Sequence, residues 1–582
     1  MTDTNNDFRN LVEMLDHSVA RHADRPLFGT RTSSGWIWMT YREFGALVRQ
    51  LHSGLHVTGY RPGEVLAMIS SNGIELAACA HAAMRNGMTF VPMYEQQSDD
   101  DWEHILRDCG ANILIVRDEG AVLRIARRSN RLPKLRQIVP LTNYTMRTNF
   151  KYADLLDCGQ CVQLPPIQTN RNDPACIIYT SGTTGKPKGV MLSHDNLRHN
   201  ILAVRKMFDF GPTDRSLAFL PWAHSFGMTL ELHALTSVGA SMAICDDVQR
   251  LVEYLGEVQP TLLCAVPRIF NKLYASIIQQ IASKPRPIQK MFAVAMRGAK
   301  KIKCGGSATL TERVAMALTD KLIFSKVRRK LGGRLRCVAS GSAALSKDIA
   351  EFIDQTGIKV YEGYGLSETS PLATCNYPGH RKIGSVGRTI EHVRIEIDPT
   401  ADDSCTDGEI IIHGPNVMLG YKNLPEETAR SLTADGGFRS GDLGRIDEDG
   451  YVYITGRIKE QYKLETGRYV APAPIEETLK LSPFIANVLV YGDNRPFNVA
   501  LIVPDSGLLQ QRLNETEQTA EQIIEQELTR CSVGLKKFER IQRFLIINED
   551  FTQKNGLLTP TLKLKRRLVI DRHRDQLERL YD

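Results

Sequence analysis

Eleven residues carry the densest chemistry in the chain: Tyr179-Thr180-Ser181-Gly182-Thr183-Thr184-Gly185-Lys186-Pro187-Lys188-Gly189. They follow an apolar run at 175–179 that reads as a buried strand. Glycines let a backbone approach an anion closely, amides and Ser/Thr hydroxyls supply donors, and Lys186 and Lys188 supply charge. The combination suits a polyphosphate. It is not a Walker A loop, because two residues rather than four separate Gly182 from Gly185 and Pro187 follows Lys186. A flexible polar turn is the plain reading of a lone Gly/Thr cluster; this string is too long and too particular for it.

Other strings hold complementary groups. Tyr361-Glu362-Gly363-Tyr364-Gly365-Leu366-Ser367-Glu368-Thr369-Ser370 joins flat rings to a carboxylate, and Ser340-Gly341-Ser342-Ala343 precedes it. A purine takes a flat apolar wall, and a hard cation takes carboxylate, hydroxyl and phosphate oxygens. Asp442, in Ser440-Gly441-Asp442-Leu443-Gly444, and Arg457, after Gly456, lie fifteen residues apart. A carboxylate can accept from both ribose hydroxyls, and an arginine can bridge ribose and phosphate. Alone, Asp442 would be a turn aspartate. His224, in Pro221-Trp222-Ala223-His224-Ser225-Phe226-Gly227, would alone be structural. Thr559-Pro-Thr-Leu-Lys563-Leu-Lys565-Arg-Arg567 would alone be a basic helix start.

Taken in order and spacing, these strings resemble the signatures of the adenylate-forming (AMP-binding) superfamily of acyl-CoA synthetases, peptide-synthetase adenylation domains and firefly luciferase. The resemblance spans roughly residues 20–570. It implies that residues 180–186 and Lys188 hold the β- and γ-phosphates of ATP, and that Thr180 and Glu368 hold Mg²⁺. It implies a base site in which Tyr364 stacks on adenine within the Glu362-Gly363-Tyr364-Gly365 string. Gly341 and Ser342 line the base's other side, although the family usually has glycine at 342 and proline at 344. Asp442 and Arg457 take the ribose, and His224 lies beside the substrate carboxylate. Lys563 is the implied catalytic lysine, with Lys565 as the competing assignment. Gly467 belongs to a segment brought to a thiol channel when the C-terminal domain swings about Lys459.

The Thr-Leu-Lys form at 561–563 and the string at 463–472 look like the long-chain fatty acyl-CoA synthetase branch, although Glu465 is unusual there. Some long-chain enzymes carry an aromatic gate four residues after the histidine. That position is Met228 here, which leaves Trp222 as a gate candidate. The implied activity forms acyl-AMP from a fatty acid and ATP, then acyl-CoA from CoA. The alternatives are a ligase loading a carrier protein, or a CoA ligase for another hydrophobic acid. No extra segment between Gly441 and Gly467 blocks rotation, which favours CoA. An inactive scaffold predicts damage at Lys563, Glu368 or the phosphate loop, and all are intact.

The elements that must position these groups alternate. Helical apolar spacing at 8–20 and from Tyr41, a strand at 63–70, an alanine-rich helix at 75–85, and strands at 90–93 and 113–116 read as a doubly wound parallel sheet. Strands at 217–220, 262–266 and 336–339 repeat the pattern and deliver loops to one edge. Residues 383–449 change to short alternating strands, a small antiparallel unit. Residues 520–528 and 566–580 look helical. The expected class is α/β. A large N-terminal domain (1–456) has two doubly wound α/β subdomains and a small β-barrel-like unit. A small mobile α/β C-terminal domain (457–582) follows.

A chain of 582 residues exceeds one core. The net charge of +7 does not argue for nucleic acid. No apolar stretch is long enough to span a membrane, and MTDTNNDFRN has no signal-peptide pattern. Twelve scattered cysteines suit a reducing cytoplasm, and Cys158-Gly-Gln-Cys161 lacks a second pair and reads as coincidence in a surface loop. Residues 284–336 hold fifteen Lys/Arg against Glu312 and Asp320. A solvated basic face is the plain reading. Peripheral docking on an acidic membrane face, where a lipid substrate would be found, is the sharper one.

Overall fold

The computed structural model describes residues 7–142, 150–180, 186–303, 305–399, 407–552, 555–559 and 564–582. Strands Val65–Ile69, Thr89–Met93 and Ile113–Val116 are buried at every position, as parallel strands covered on both faces must be. Alternate side chains divide between two cores. Leu66, Met68, Phe90, Ile113 and Ile115 face helices Leu11–His22, Tyr41–Val57 and Ile74–Arg85. Ala67, Ile69, Val91, Met93, Leu114 and Val116 face Trp102 and Ile105 of helix Asp99–Cys109.

Capping sets the first helices. Thr40 and Glu43 form a capping box ahead of Tyr41, and the Asn10 side chain accepts from the Glu13 amide. Phe8, expected inside the first helix, therefore precedes it and is buried all the same.

The sheet is mixed rather than wholly parallel. Pro174–Thr180 runs parallel to Thr89–Met93, but Lys188–Ser193 returns antiparallel to it and Gly420–Tyr421 pairs outside that. The expected strand before the phosphate loop is thus one arm of a hairpin. Gly189 permits the return, since a Cβ there would stand 2.8 Å from the Tyr179 ring and 2.9 Å from Ile177 Cγ2.

A second set of strands is built likewise. Leu262–Ala265, Cys337–Ser340 and Lys359–Tyr364 are parallel neighbours, extended antiparallel by Thr374–Cys375 and Arg388–Thr389. Arg215–Ala218, Ser241–Ile244 and Pro26–Thr32 continue this layer, abutting it where the Thr261 amide donates to the Arg215 carbonyl at 2.9 Å. The antiparallel unit has the order 394–399, 408–413, 438–446, 452–457.

A small C-terminal domain has its own three-stranded sheet, Ile485–Tyr491, Asn498–Pro504 and Ile541–Ile546. Val488, Val490, Ala500 and Ile502 meet helices Pro472–Leu479 and Ala520–Cys531. Leu489, Val499 and Leu501 meet the last helices. The single helix expected at 566–580 is two, Arg566–Arg572 and Arg574–Glu578, broken at His573. Cys158 and Cys161 are not in a surface loop. Cys158 lies on helix Tyr152–Gln160 and Cys161 is its exposed C-cap, because Leu155 on the same helix packs into the core. Among the described residues no helix is long and apolar enough to cross a membrane.

The C-terminal domain is pinned by one buried ion pair. Arg566 Nη2 donates to Glu476 Oε2 at 2.6 Å and Nη1 to the Val490 carbonyl at 2.9 Å, while Glu476 Oε1 accepts from the Val490 amide at 2.6 Å. Removing one member strands a buried charge. Arg566→Met should therefore destabilise this domain by about 3–5 kcal/mol. Denaturant unfolding followed on both domains should show an early transition confined to the C-terminal sheet.

Candidate active site

Three strands end at one cleft. Pro174–Thr180 delivers Thr180, Cys337–Ser340 delivers Gly341 and Ser342, and Lys359–Tyr364 delivers Glu362, Gly363 and Tyr364. Ligands bind at such carboxyl ends in open α/β sheets. The cleft holds about 2790 Å³ and is closed on its far side by the C-terminal domain, whose Thr559, Leu564 and Lys565 line it.

The two members of the proposed ribose pair are cross-strand partners. Asp442 on Phe438–Ile446 lies opposite Arg457 on Val452–Arg457, which is what their fifteen-residue spacing encodes. Arg457 Nε donates to Asp442 Oδ1 at 2.7 Å, and Tyr364 Oη donates to Oδ2 at 2.8 Å. Each carboxylate oxygen keeps a lone pair for a further donor. Burial, with Asp442 alongside, pushes the Tyr364 phenol well above its ordinary value, so it stays a donor. Burial also pushes the Glu362 carboxyl up to about 7, against a bond from the Leu345 amide and the field of Arg381.

Glu368 sits in the turn Ser367–Thr369. Its Oε1 accepts from Tyr421 Oη at 2.8 Å, and its carbonyl accepts from the Met418 amide at 2.8 Å. Lys188 stands 5.4 Å from the centre of the same Tyr421 ring and pairs with Glu427. The Lys188 ammonium holds Glu427 below the usual carboxylate range, with Lys459 adding to the effect. Sequence reading missed Tyr421 and Glu427. Pro425-Glu426-Glu427 marks a helix start that was legible, but nothing in one dimension pairs it with Lys188.

Helix Asp99–Cys109 braces the phosphate hairpin. Tyr179 Oη donates to Asp108 Oδ2 at 2.6 Å, and His104 Nε2 lies 2.9 Å from the Pro187 carbonyl oxygen. Residues 181–185 (Ser181, Gly182, Thr183, Thr184 and Gly185) lie outside the described residues, as does Lys563. Lys186 is exposed and does not line the cleft; Lys188 does.

His224 lines the cleft beside an apolar wall of Phe226, Leu230 and Val266. Its Nδ1 accepts from the Phe226 amide at 3.2 Å, which leaves the proton of the neutral ring on Nε2. Ser225, the next residue, reaches Ser367 at 3.1 Å and so ties this loop to the Glu368 turn. Trp222 is not placed as a gate. It is fully buried, donates to Glu231 Oε2 at 3.4 Å and packs on Phe28, away from the cleft. Gly365 is a packing glycine, since a Cβ there would stand 1.8 Å from the Pro371 carbonyl oxygen. Gly467 is not brought to the cleft. It turns the exposed hairpin between Tyr462–Lys463 and Tyr469–Val470 at φ +82°.

A strand-end cleft joining a hydroxyl- and lysine-rich hairpin to a Tyr–Asp–Arg cluster, with a small second domain across it, is the architecture of adenylate-forming enzymes. The chain belongs to the AMP-binding enzyme family: the family model matches residues 15–422, and that of the AMP-binding enzyme C-terminal domain matches 459–582. It is 32% identical to the long-chain-fatty-acid–CoA ligase FadD15 of Mycobacterium bovis, over 98% of this chain and 97% of that one. It is 29% identical to the peroxisomal long chain acyl-CoA synthetase 7 of Arabidopsis thaliana, over 94% and 83%. The adenylation domain of a Mycobacterium chelonae carboxylate reductase shares the fold with a TM-score of 0.82 at 20% identity, over 98% of this chain and 91% of that one.

Ser342 has φ +70°, a left-handed backbone that costs a serine about 1–2 kcal/mol. A Cβ on Gly341 would stand 3.7 Å from the Gly363 carbonyl oxygen and from Phe226 Cε1, which is ordinary contact. The fold tolerates a methyl there, and only a ligand in the cleft would meet it. Ser342→Gly should raise stability by about 0.5–1 kcal/mol, the strain relief less the added chain entropy. Gly341→Ala should melt like the wild type yet bind AMP more weakly. Thermal unfolding and titration calorimetry check both; normal AMP binding by Gly341→Ala would remove the base from this face.

Proposed function

We propose that the chain activates a long-chain fatty acid with ATP to acyl-AMP and then transfers the acyl group to CoA, releasing AMP. The observation that carries this reading is end-to-end likeness to a long-chain-fatty-acid–CoA ligase, 32% over 98% of the chain, with the cleft residues in the expected order. The apolar wall beside His224 suits an acyl chain next to its carboxylate.

In the first step a fatty-acid carboxylate oxygen attacks the α-phosphorus in line and the bond to pyrophosphate breaks. His224 Nε2–H donates to the carboxylate and orients it. Asp442 accepts from the ribose hydroxyls while Arg457 and Tyr364 hold it in place, and Tyr364 presents its ring to adenine. Lys188 and the loop at 180–185 hold the departing phosphates, and Lys563 neutralises charge on the phosphoryl oxygens. Glu368 and the Thr180 hydroxyl offer only hard oxygens, and no group of three or more His, Cys, Asp or Glu that could hold a metal exists among the described residues. That donor set fits Mg²⁺ completing its shell with phosphate and water, and the ion would supply further charge neutralisation there. In the second step the CoA thiolate attacks the acyl carbonyl, and AMP leaves with the bonding pair.

The division into residues 1–456 and 457–582, with rotation about Lys459 between the two steps, belongs to the same reading. Thr559 and Lys565, on either side of Lys563, face the cleft while Gly467 does not line it, which suits the first step. Peripheral contact of the basic region 284–336 with an acidic membrane face brings the enzyme to its substrate.

Incubation with ATP, Mg²⁺ and fatty acids of graded length, with and without CoA, should yield acyl-CoA by mass spectrometry only when CoA is present, best for long chains. Acyl-AMP accumulating regardless of CoA would assign the acceptor to a carrier protein instead. Lys563→Ala should lower acyl-AMP formation by at least about a hundredfold while leaving thioester formation from supplied acyl-AMP within a few-fold. Equal loss of both half-reactions rejects the lysine assignment.

A further inference from the structure

Helix Leu310–Thr319, the π-turn Asp320–Phe324 and helix Ser325–Lys330 run on from one another along the surface. Their inner side is closed: Ala315, Phe324 and Val327 are buried, and Phe324 meets Phe292 of helix Arg286–Lys303 edge-on. Their outer side carries Leu310, Val314, Leu318 and Leu322, exposed by 78%, 52%, 43% and 46%. Steps of four residues drift around an ideal α-helix by about 40° each. The π-turn, closing over five residues, takes up that drift between Leu318 and Leu322. The outcome is an apolar ridge about 18 Å long. Single exposed apolar side chains need no explanation, but four in a row do.

The ridge is set in uncompensated positive charge. Of the fifteen Lys/Arg between 284 and 336, Lys301, Lys303, Arg328 and Arg336 form ion pairs. The other eleven have no carboxylate partner among the described residues. Both acids of the segment are already engaged, Glu312 by Lys301 and Asp320 by Arg328. Arg313, Lys321, Lys326, Arg329 and Lys330 are exposed in the same turns as the ridge or the turn after it. A leucine exposed as fully as Leu310 protrudes and does not line a groove that could receive a peptide. A protruding apolar ridge among cations matches a soft, flat, anionic surface.

We propose that this ridge seats the enzyme in an anionic lipid bilayer, its four apolar side chains entering the acyl-chain boundary and the flanking cations meeting headgroup phosphates. The inference deepens the membrane contact proposed above and rests on that reading. It adds the anchor: charge brings the protein to the surface, and the ridge holds it there.

The test is flotation of the full chain with vesicles in the absence of ATP, fatty acid and CoA, so the result is independent of catalysis. Wild type should float with vesicles of phosphatidylcholine and phosphatidylglycerol and remain in solution with phosphatidylcholine alone. The triple variant Leu310→Ser/Val314→Ser/Leu318→Ser should lose at least about tenfold in partitioning while keeping every charge. Lys321→Gln/Lys326→Gln/Arg329→Gln should lose a similar factor and most of the salt dependence. Acyl-CoA formation from a dissolved short-chain acid and an unchanged melting temperature establish that each variant is folded; failure of that reaction in wild type would count against the proposed function alone. Undiminished flotation of the serine variant overturns the proposal. So does a serine variant that floats normally but sediments as a smaller species than wild type, which would make the ridge a contact between copies of the chain.

Discussion

The site depends first on a strand that turns back. Lys188–Ser193 pairs antiparallel with Pro174–Thr180 on one side and with Gly420–Tyr421 on the other. Thr180 and Lys188 are opposed Cα partners about 5 Å apart, so the two strand ends are held together by ladder bonds. A Walker-type loop is held at one end by a strand and at the other by a helix whose dipole faces the phosphates. Here, among the described residues, Pro187 and Lys188 lead straight into the returning strand and not into a helix. On the reading proposed above, positive charge then comes from the Lys188 side chain, which lines the cleft where Lys186 does not. The outer pairing does a second job. It sets Tyr421 where its hydroxyl reaches Glu368 and its ring lies near Lys188, joining two signature strings far apart in sequence.

Charge organisation follows from that geometry. Lys188 pairs with Glu427, Glu427 feels Lys459, and Glu368 is held by Tyr421, so the phosphate end and the chain leading to the C-terminal domain share one small electrostatic circuit. On the reading proposed above, a polyphosphate beside Lys188 would compete with Glu427 for that ammonium. On the other flank, Asp108 and His104 are one turn apart on a single helix and engage the two ends of the hairpin loop. That helix acts as a strut. Its Trp102 and Ile105 are buried against the sheet, so the strut cannot yield without opening a core.

Much of this was legible in one dimension, and the limits have physical reasons. Buried strands such as Ile113–Val116 are apolar throughout and read directly. Signature strings read well because a phosphate, a purine and a ribose each demand particular groups close together. The returning strand was illegible because Lys188 and Gly189 look like loop, and their fitness for a strand lies in Gly189 packing on the Tyr179 ring. Tyr421 and Glu427 were missed because their partners lie 53 and 239 residues away and no local rule joins them. Trp222 looked like a gate because it neighbours His224, yet successive residues of a turn point to different sides, and Glu231 and Phe28 claim this one. The apolar ridge at 310–322 was read only as part of the basic region 284–336. Which face of a helix stays bare depends on what packs against the other.

The C-terminal domain constrains how the remaining residues can act. Arg566 is tied to Glu476 and Val490. The hairpin that carries Gly467 is tied to the same body elsewhere, through backbone bonds from Asn494 to Lys463 and from Glu465 to Arg495. Arg495 pairs in turn with Glu578, which also accepts from Tyr491 at 3.1 Å. The lysine segment and the glycine hairpin are therefore two faces of one packed unit, not two independent loops. A local flexing that brought Gly467 to the cleft while leaving Lys565 in place would have to break these links. Rotation of the whole unit breaks none of them. It need only exchange the contacts that the unit makes with the larger domain, such as the 3.4 Å bond between Gln279 and Gln511, which is exposed and cheap to lose. The internal bonding of the small domain thus suits the rotation proposed above, in which its two faces are used in turn.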